Sequence, residues 1–311
     1  MSASSKPGKI PGAHAMAIIL LSIVIVNGAF LSGWWYYRQL KKEKYSDPQY
    51  NITSIIQSTA GVERLKTVYL AEILQLSVDR PTNLIRFDVL QATNHLCQSP
   101  LIKEASVRKY LPGTIYIDYK LRVPVAFLCD FSNAAIDAEG VIFPFNPFFS
   151  PKKLPMIYLG HEILEGKLMA DNMAWGNAVN HPSLHLAFAV LDCFMQGKSD
   201  QNITLQRIDV SRCSSSSFGQ RQIIVLLEEY ETKMVGGEPI LFISPLVLRL
   251  AEENYQQQLQ NYALLRRHLK EDDNKMIPRD LNVDSGAVRS FHPLVIDLRV
   301  SDLAFLSKSV N

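Results

Sequence analysis

The sequence predicts an α+β fold behind one N-terminal transmembrane helix. A three-stranded sheet with two helices follows the helix, and then a mixed β domain with flanking helices. Three observations lead to this prediction. Residues 15–37 form an uncharged apolar run, residues 51–127 show strand and helix patterns in alternation, and short strand patterns dominate residues 128–311. No second apolar run of about 18 residues occurs in the sequence.

The apolar run has the length of a membrane span. At about 1.5 Å per residue it covers roughly 34 Å, and a bilayer's hydrocarbon core is about 30 Å thick. Aromatic rings close the run at Trp34, Trp35, Tyr36 and Tyr37, which are the predicted membrane-anchor interface. The alternatives are a cleaved signal peptide, with a cut near residues 26–28, and a buried core helix, but both are usually shorter.

The charges beside the run leave its orientation open. The basic residues are Lys6 and Lys9 before it, and Arg38, Lys41, Lys42 and Lys44 after it. A positive-inside count therefore favours a cytoplasmic location for residues 38–311. Long domains, however, translocate largely regardless of flanking charge.

The charge composition argues against a nucleic-acid partner. Lys plus Arg number 32 and Asp plus Glu number 30, so the chain lacks the excess of basic residues that is typical of nucleic-acid-binding proteins. The four cysteines are Cys97, Cys129, Cys193 and Cys213, and none forms a CxxC pair. In an exported domain they allow three disulfide pairings, or each is a small buried hydrophobic residue. Their disulfide state stays open, and their spacing does not indicate zinc.

Residues 51–127 predict a strand, two helices and two further strands. The elements are a strand at Ile52–Thr59, a helix at Leu65–Leu76, a helix that Asp88 caps and that ends at Gln98, and strands at Ala105–Lys109 and Thr114–Leu121. Leu111-Pro112-Gly113 joins the last two strands as a turn whose glycine can take a positive φ. Such a sheet buries one apolar face against its two helices.

Residues 128–311 predict a larger, mixed structure. The elements are a hairpin at Asn133–Phe143, a helix at Pro182–Gln196, strands at Leu205–Val210 and Gln222–Glu228, a helix that Ser244-Pro245 opens and that reaches about Lys270, and a strand at Pro293–Val300. Gly236-Gly237 is interpreted as a turn. An apolar stripe from Tyr255 to Leu269 is interpreted as a core face rather than a partner groove.

Four stretches of the sequence carry motifs of one family. They are VRKYLPGTIYIDYKLRVPVAFL (107–128), AIDAEGVIF (135–143), LPMIYLG (154–160) and VIDLRV (295–300). Together they resemble the bacterial cell-division family FtsQ/DivIB. The matching positions include Arg122 and Pro124 of the family's E-R-x-P, and Asp137 and Gly140 of its D-x-x-G hairpin. Leu121 replaces the usual Glu, and Val300 replaces the usual Tyr.

The resemblance implies a domain order. It consists of a cytoplasmic tail at 1–14, the transmembrane helix at 15–37, a juxtamembrane linker at 38–50, a POTRA domain at 51–127 and an FtsQ-type β domain at 128–311. Segments 160–182 and 270–292 are longer than the family requires. The implied location is the bacterial inner membrane, with the N-terminus cytoplasmic, the C-terminal domains periplasmic and the protein enriched at the division site.

No catalytic motif is present in the sequence, so no enzyme activity is expected. P-loop, dinucleotide-binding, HExxH and GxSxG patterns are absent. His181 and His185 have helical i, i+4 spacing, but no third metal ligand lies nearby and Pro182 places His181 before the helix. No metal, cofactor, small-molecule substrate or nucleic acid is therefore expected.

The sequence does offer the feature that a protein-binding scaffold requires, which is a strand at the edge of a sheet. The predicted edge is Val295–Phe305, if this strand is last in the sheet as in the resembled family. An edge strand leaves backbone groups unpaired, and a partner strand can pair with them. The resemblance implies partners of the FtsB and FtsL type at this strand, and FtsK beside the POTRA region. The candidate partner-binding residues are Arg299, Val300, Ser301, Leu303 and Ala304. The leading interpretation is a non-catalytic divisome scaffold, and the alternative is a POTRA-type component that handles polypeptides in export or envelope assembly.

Overall fold

The computed structural model describes residues 12–160, 175–196, 202–271, 281–284 and 288–308. The backbone divides into two compact units. The first comprises residues 1–58, 66–96 and 105–119, and the second comprises residues 59–65, 97–104 and 120–311. The boundaries predicted at 51, 127 and 128 stay a prediction.

The first helix, α1, runs from Gly12 to Ser46 without a break. Its stretch Leu20–Ser46 is long and apolar enough to cross a membrane, and it is the one such helix in the described part of the chain. Residues 38–46, predicted as a linker, continue the helix because they include no Gly or Pro and consist mostly of good helix formers. The helix ends before a 3-10 turn at Pro48–Tyr50, which Asp47 caps through the backbone N–H of Gln49 at 2.9 Å.

The smaller sheet has the predicted order of elements. They are β1 (Ser54–Thr59), α2 (Thr67–Ile73), α3 (Val89–Gln98), β2 (Ile102–Tyr110) and β3 (Thr114–Leu121), with the strands in the order β1-β3-β2. The predicted cap of α3 is confirmed, since Asp88 Oδ1 accepts from the backbone N–H groups of Leu90 at 2.9 Å and Gln91 at 3.1 Å. Leu70 and Leu96 of the helices are fully buried, as are Ile115 and Ile117 of β3.

The turn between β2 and β3 needs glycine for a different reason from the predicted one. Gly113 is not among the glycines with positive φ, so that expectation was wrong. A Cβ on Gly113 would collide with the backbone carbonyl oxygen of Asn51. The carbonyl of Gly113 also accepts from Thr53 N–H at 2.9 Å. Glycine is therefore required because two backbone segments approach closely here.

Within the described ranges, the larger sheet is mixed and has eleven strands. They are β4 (Ala126–Leu128), β5 (Ala134–Ile136), β6 (Ile142–Pro144), β7 (Met156–Tyr158), β8 (Ile203–Asp209), β9 (Ile223–Val235), β10 (Glu238–Leu250), β11 (Leu281–Asp284), β12 (Val288–Phe291), β13 (Leu294–Asp297) and β14 (Phe305–Lys308). Their order is β11-β12-β10-β9-β8-β7-β4-β5-β6, and β13 lies between β10 and β14. The parallel pairs are β4/β7, β7/β8, β10/β12 and β10/β13.

Two helices pack against this sheet. Helix α4 (Pro182–Gln196) has its predicted bounds, and His181 caps it because its Nδ1 accepts from Ser183 N–H at 3.2 Å. Helix α5 (Tyr255–Glu271) carries the predicted stripe. The stripe is confirmed as a core face by buried Tyr262 and by Tyr255, Leu259 and Leu265, which pack on the same core. The side chain of Leu269 lies outside the described residues.

The predicted start of the long helix at Ser244-Pro245 was wrong. These residues belong to β10, which pairs with β9 along its whole length, including Pro245 opposite Glu228. Every second residue at this end of β10 is buried (Leu246, Leu248 and Leu250), which is a strand period. Pro245 has no N–H to donate to a neighbouring strand. It is tolerated because it lies in the gap on β10 between the residues that pair with β12 and those that pair with β13.

Both predicted turns of this sheet are confirmed. Gly236 and Gly237 have φ of 64° and 90° and join β9 to β10 as a two-residue hairpin. Gly140 has a φ of 79° in the turn between β5 and β6.

The cysteines differ from one another in burial. Cys213 is buried and Cys193 is half-buried, but Cys97 and Cys129 are exposed, so their interpretation as buried hydrophobic residues was wrong. All four lie within the described residues and are unbridged. The long segments predicted at 160–182 and 270–292 fall largely on residues 161–174, 272–280 and 285–287, which lie outside the described residues.

Candidate interaction surface

The larger sheet ends in an open edge at β14. Strand β10 has two short parallel partners placed end to end, β12 at Leu241–Ile243 and β13 at Leu246–Arg249. On its other side β13 pairs antiparallel with β14. Across the described ranges, β14 pairs with no strand except β13. Its outer backbone N–H and C=O groups can therefore accept another strand.

The opposite edge of the sheet is covered by the chain itself. Strand β6 begins beside a bridge between Val141 and Ala178. Gly176 N–H donates to the carbonyl of Ile142 at 2.9 Å, which continues this cover. The β6 edge is thus covered, whereas β14 and β11 each pair with a single strand among the described residues, and β14 is the edge beside the predicted contact residues.

The structure places the five predicted contact residues beside this edge and not on a strand. The predicted strand Pro293–Val300 stops at Asp297, so the assignment of Arg299, Val300, Ser301, Leu303 and Ala304 to an edge strand was wrong. They form the loop between β13 and β14. The loop turns because Asp302 takes a φ of 60° and Leu303 N–H donates to the carbonyl of Val300 at 3.3 Å.

Arg299 holds the loop in place. Its Nη1 donates to the carbonyl of Gly219 at 2.9 Å, and its Nε and Nη2 donate to the Asp297 carboxylate at 3.0 and 2.8 Å. Arg249 adds a second cation 3.6 Å from the same carboxylate. Since its guanidinium is already bound on two sides, Arg299 orients the surface and is the weakest of the five candidates for partner contact.

The charges around Asp297 shift both titrating groups. Burial alone would raise the pKa of Asp297, but hydrogen bonds from Arg299 and the charges of Arg299 and Arg249 outweigh burial and hold it below the ordinary value. The hydrogen bond to Asp297 raises the pKa of Arg299. Asp297 therefore stays ionised at neutral pH, and its ion pair with Arg299 joins the loop to the end of β13.

The remaining loop residues present an apolar surface. Val300 is 49% exposed, Leu303 is 55% exposed, and Phe305 at the start of β14 is 56% exposed. Ser301 and Ala304 are also exposed. Adjacent exposed apolar side chains beside an open strand are typical of a protein-binding surface. We call Val300, Leu303, Phe305 and the outer edge of β14 the edge patch.

The sequence prediction ended its edge at Phe305, did not include Phe305 among the contact residues and missed the strand that Phe305 opens. The signal was present in residues 305–308, where Leu306 packs on the core while Phe305 and Ser307 are exposed. This alternation spans only four residues, which is too short to distinguish a strand from a loop.

The other predicted site residues lie on α1. Trp34, Trp35, Tyr36 and Tyr37 are all exposed on the membrane-length helix. Among the described residues, no group of three or more His, Cys, Asp or Glu side chains could hold a metal ion. His185 lies beside Asn180, whose Oδ1 is 3.0 Å from its Nε2.

Comparison with known proteins identifies the smaller domain. Residues 60–118 match the family model described as "POTRA domain, FtsQ-type", which covers α2, α3, β2 and most of β3. No curated protein matches the chain. Such a domain suggests a non-catalytic role related to cell division. The chain carries an FtsQ-type POTRA domain behind an N-terminal apolar helix, and these two features support an FtsQ/DivIB-like single-pass membrane protein.

Proposed function

We propose that this chain is a non-catalytic divisome scaffold. It links cytoplasmic division proteins to division proteins on the cell-wall side at the septum. One helix anchors it in the bacterial inner membrane, with the N-terminus cytoplasmic and the POTRA and β domains periplasmic. The proposed partners are single-pass division proteins of the FtsB and FtsL type, with FtsK at the POTRA side.

The observation that supports this function is the edge patch. A partner strand beside β14 would extend the sheet by one strand, next to the existing pairs of β14 with β13 and of β13 with β10. Main-chain hydrogen bonds would supply affinity, and Val300, Leu303 and Phe305 would supply apolar contacts at one side of the added strand. A scaffold needs no reacting group, and it binds through surfaces of this kind.

Glutamate substitutions in the edge patch test the proposal. Val300→Glu and Leu303→Glu place a charge where an apolar contact would be buried, so we expect each to abolish co-purification of the FtsB-type partner. Both side chains are half exposed, so far-UV circular dichroism should stay as in the wild type. Val123→Glu is the matched control, because Val123 is 69% exposed and lies outside the patch. Undiminished co-purification of both patch variants would exclude the edge patch as the binding site.

Depletion of the protein from cells separates the scaffold from the polypeptide-handling alternative. Loss of a scaffold should arrest division and give long, undivided cells. Loss of a polypeptide-handling component should instead lead to accumulation of unfolded export substrates, with division arrested late or not at all. Immunoblots of envelope proteins and cell-length measurements in the same culture distinguish the two outcomes.

A further inference from the structure

The end of the membrane-length helix carries cations that fold back onto its aromatic rings. The guanidinium of Arg38 lies 5.1 Å from the centroid of the Trp34 ring, and the ammonium of Lys41 lies 5.6 Å from that of Tyr37. Helical side chains point toward the N-terminus, so each cation lies beside a ring one turn earlier. We call these four residues the cation–aromatic collar.

The collar offers positive charge that the protein does not neutralise. Arg38 and Lys41 are exposed, and neither forms an ion pair with a carboxylate among the described residues. Lys42 and Lys44 follow within one turn, against the single acid Glu43. Aromatic rings of this kind favour the headgroup layer of a bilayer, which is where lipid phosphates lie. The collar therefore places guanidinium and ammonium donors at the depth of the phosphates.

The collar is also fixed relative to the domain that follows it. Asn83 Nδ2 donates to the backbone carbonyl of Lys44 at 3.1 Å, and the Arg86 guanidinium lies 5.1 Å from the centroid of the Tyr45 ring. Both contacts lie within the same compact unit as α1. From Arg38 to Lys44 the helix rises by about 9 Å. A headgroup bound at the collar would thus hold residues 83–86 close to the membrane surface.

We propose that the cation–aromatic collar is a binding site for the phosphate of anionic phospholipids. The proposal rests on the membrane anchoring in the proposed function. In the proposed orientation the collar faces the exported side, where Lys and Arg near a span are disfavoured, and bound anionic headgroups offset that disadvantage. Arg38 donates to phosphate oxygens, Lys41 adds a point charge, and the rings of Trp34 and Tyr37 pack beside the acyl chains. Two such cations set a preference for anionic over zwitterionic lipid of roughly 30-fold.

Tryptophan fluorescence of the full chain tests the proposal without added labels. The chain has three tryptophans. Trp34 belongs to the collar and Trp35 is its neighbour in α1, whereas Trp175 lies in the other compact unit. The protein is reconstituted in phosphatidylcholine vesicles that contain a small fraction of either brominated phosphatidylglycerol or brominated phosphatidylcholine. We expect the brominated phosphatidylglycerol to quench the fluorescence more strongly, because it is enriched beside Trp34.

Glutamine variants assign the enrichment to the collar. In Arg38→Gln/Lys41→Gln the two brominated lipids should quench equally, since glutamine keeps the helix propensity and removes both charges. Lys120→Gln/Lys153→Gln removes two exposed charges elsewhere and should quench like the wild type. Equal quenching in the wild type, or a preference that persists in the collar variant, would overturn the proposal. The fluorescence assay does not depend on which side of the membrane residues 38–311 face. If these residues proved to be cytoplasmic, the proposed function would be wrong, but the expected quenching would be the same.

Discussion

At the scale of single residues, two motif positions that are distant in the sequence form one buried ion pair. Arg122 Nη1 lies 2.8 Å from Asp137 Oδ2, and Arg122 Nε donates to the carbonyl of Pro100 at 3.1 Å. Asp137 is 2% exposed, and its other oxygen accepts from the N–H groups of Glu139 and Val141. The Arg-x-Pro and Asp-x-x-Gly motifs therefore fix the hairpin between β5 and β6 through one shared ion pair.

Replacing this carboxylate should destabilise the fold strongly. Asp137→Asn leaves Arg122 without its counter-charge in a largely buried position, so we expect the free energy of unfolding to fall by about 3 kcal/mol. Urea denaturation followed by circular dichroism measures the change. Glu139→Gln is the matched control two residues away, because its ion pair with Lys103 is exposed and should contribute little. A loss for Asp137→Asn as small as that of the control would show that the buried pair is not needed.

The Asp297 carboxylate should make the stability of the β13–β14 loop depend on pH. Its pKa in the folded protein lies below the ordinary value of about 3.9, so the ionised form stabilises the folded state above about pH 4. This contribution is lost as the pH falls through the folded pKa. We therefore expect the difference in unfolding free energy between the wild type and Asp297→Asn to shrink as the pH falls below about 4.

Urea unfolding at several pH values measures this difference. Arg299→Gln serves as the companion variant, because removal of the principal cation should also reduce the loss of stability on acidification. A difference between the wild type and Asp297→Asn that stays constant over the whole pH range would contradict the assignment.

At the scale of elements, the sequence predicted correctly those helices and caps that depend on residues close together in the chain. The apolar run, the Asp88 cap and the Pro182 helix start were correct because each depends on neighbours within one turn. Ser244-Pro245 has the local signature of a helix start, but pairing with β9 along thirteen positions outweighs it. The edge patch depends on which strand is outermost, and that is a property of the sheet's topology rather than of any window of sequence.

The close approach at Gly113 gives a prediction for the β2–β3 turn. Gly113→Ala forces its Cβ against the carbonyl of Asn51, and backbone must move to relieve the collision. We expect a loss of about 1–3 kcal/mol in unfolding free energy, as for other overpacked sites. Gly61→Ala is the control, because a Cβ there meets no atom nearer than 3.9 Å. Thermal unfolding of the two variants measures the difference. If both unfold at the same temperature, the backbone around Asn51 moves aside without a cost in stability.

At the scale of the whole molecule, the described parts match the requirements of the proposed scaffold. Helix α1 has the length and composition of an anchor, the FtsQ-type POTRA domain follows it, and the larger sheet leaves the outer edge of β14 unpaired among the described residues. None of these parts contains a motif for chemistry. The orientation of the chain in the membrane thus decides which partners each part can meet, and flanking charge could not predict it from the sequence.

A topology reporter should place the C-terminal domains outside the cytoplasm. We expect an enzyme that is active only outside the cytoplasm to be active when it is fused after Asn311, and a reporter that works only in the cytoplasm to be inactive there. The physical reason is that a long folded domain translocates largely regardless of the four cations that follow the span, whereas the short N-terminal tail stays behind. Fusions after Lys9 are the matched control and should give the opposite pair of activities. A cytoplasmic signal at Asn311 would place the edge patch on the wrong side for cell-wall-side partners and would refute the proposed scaffold.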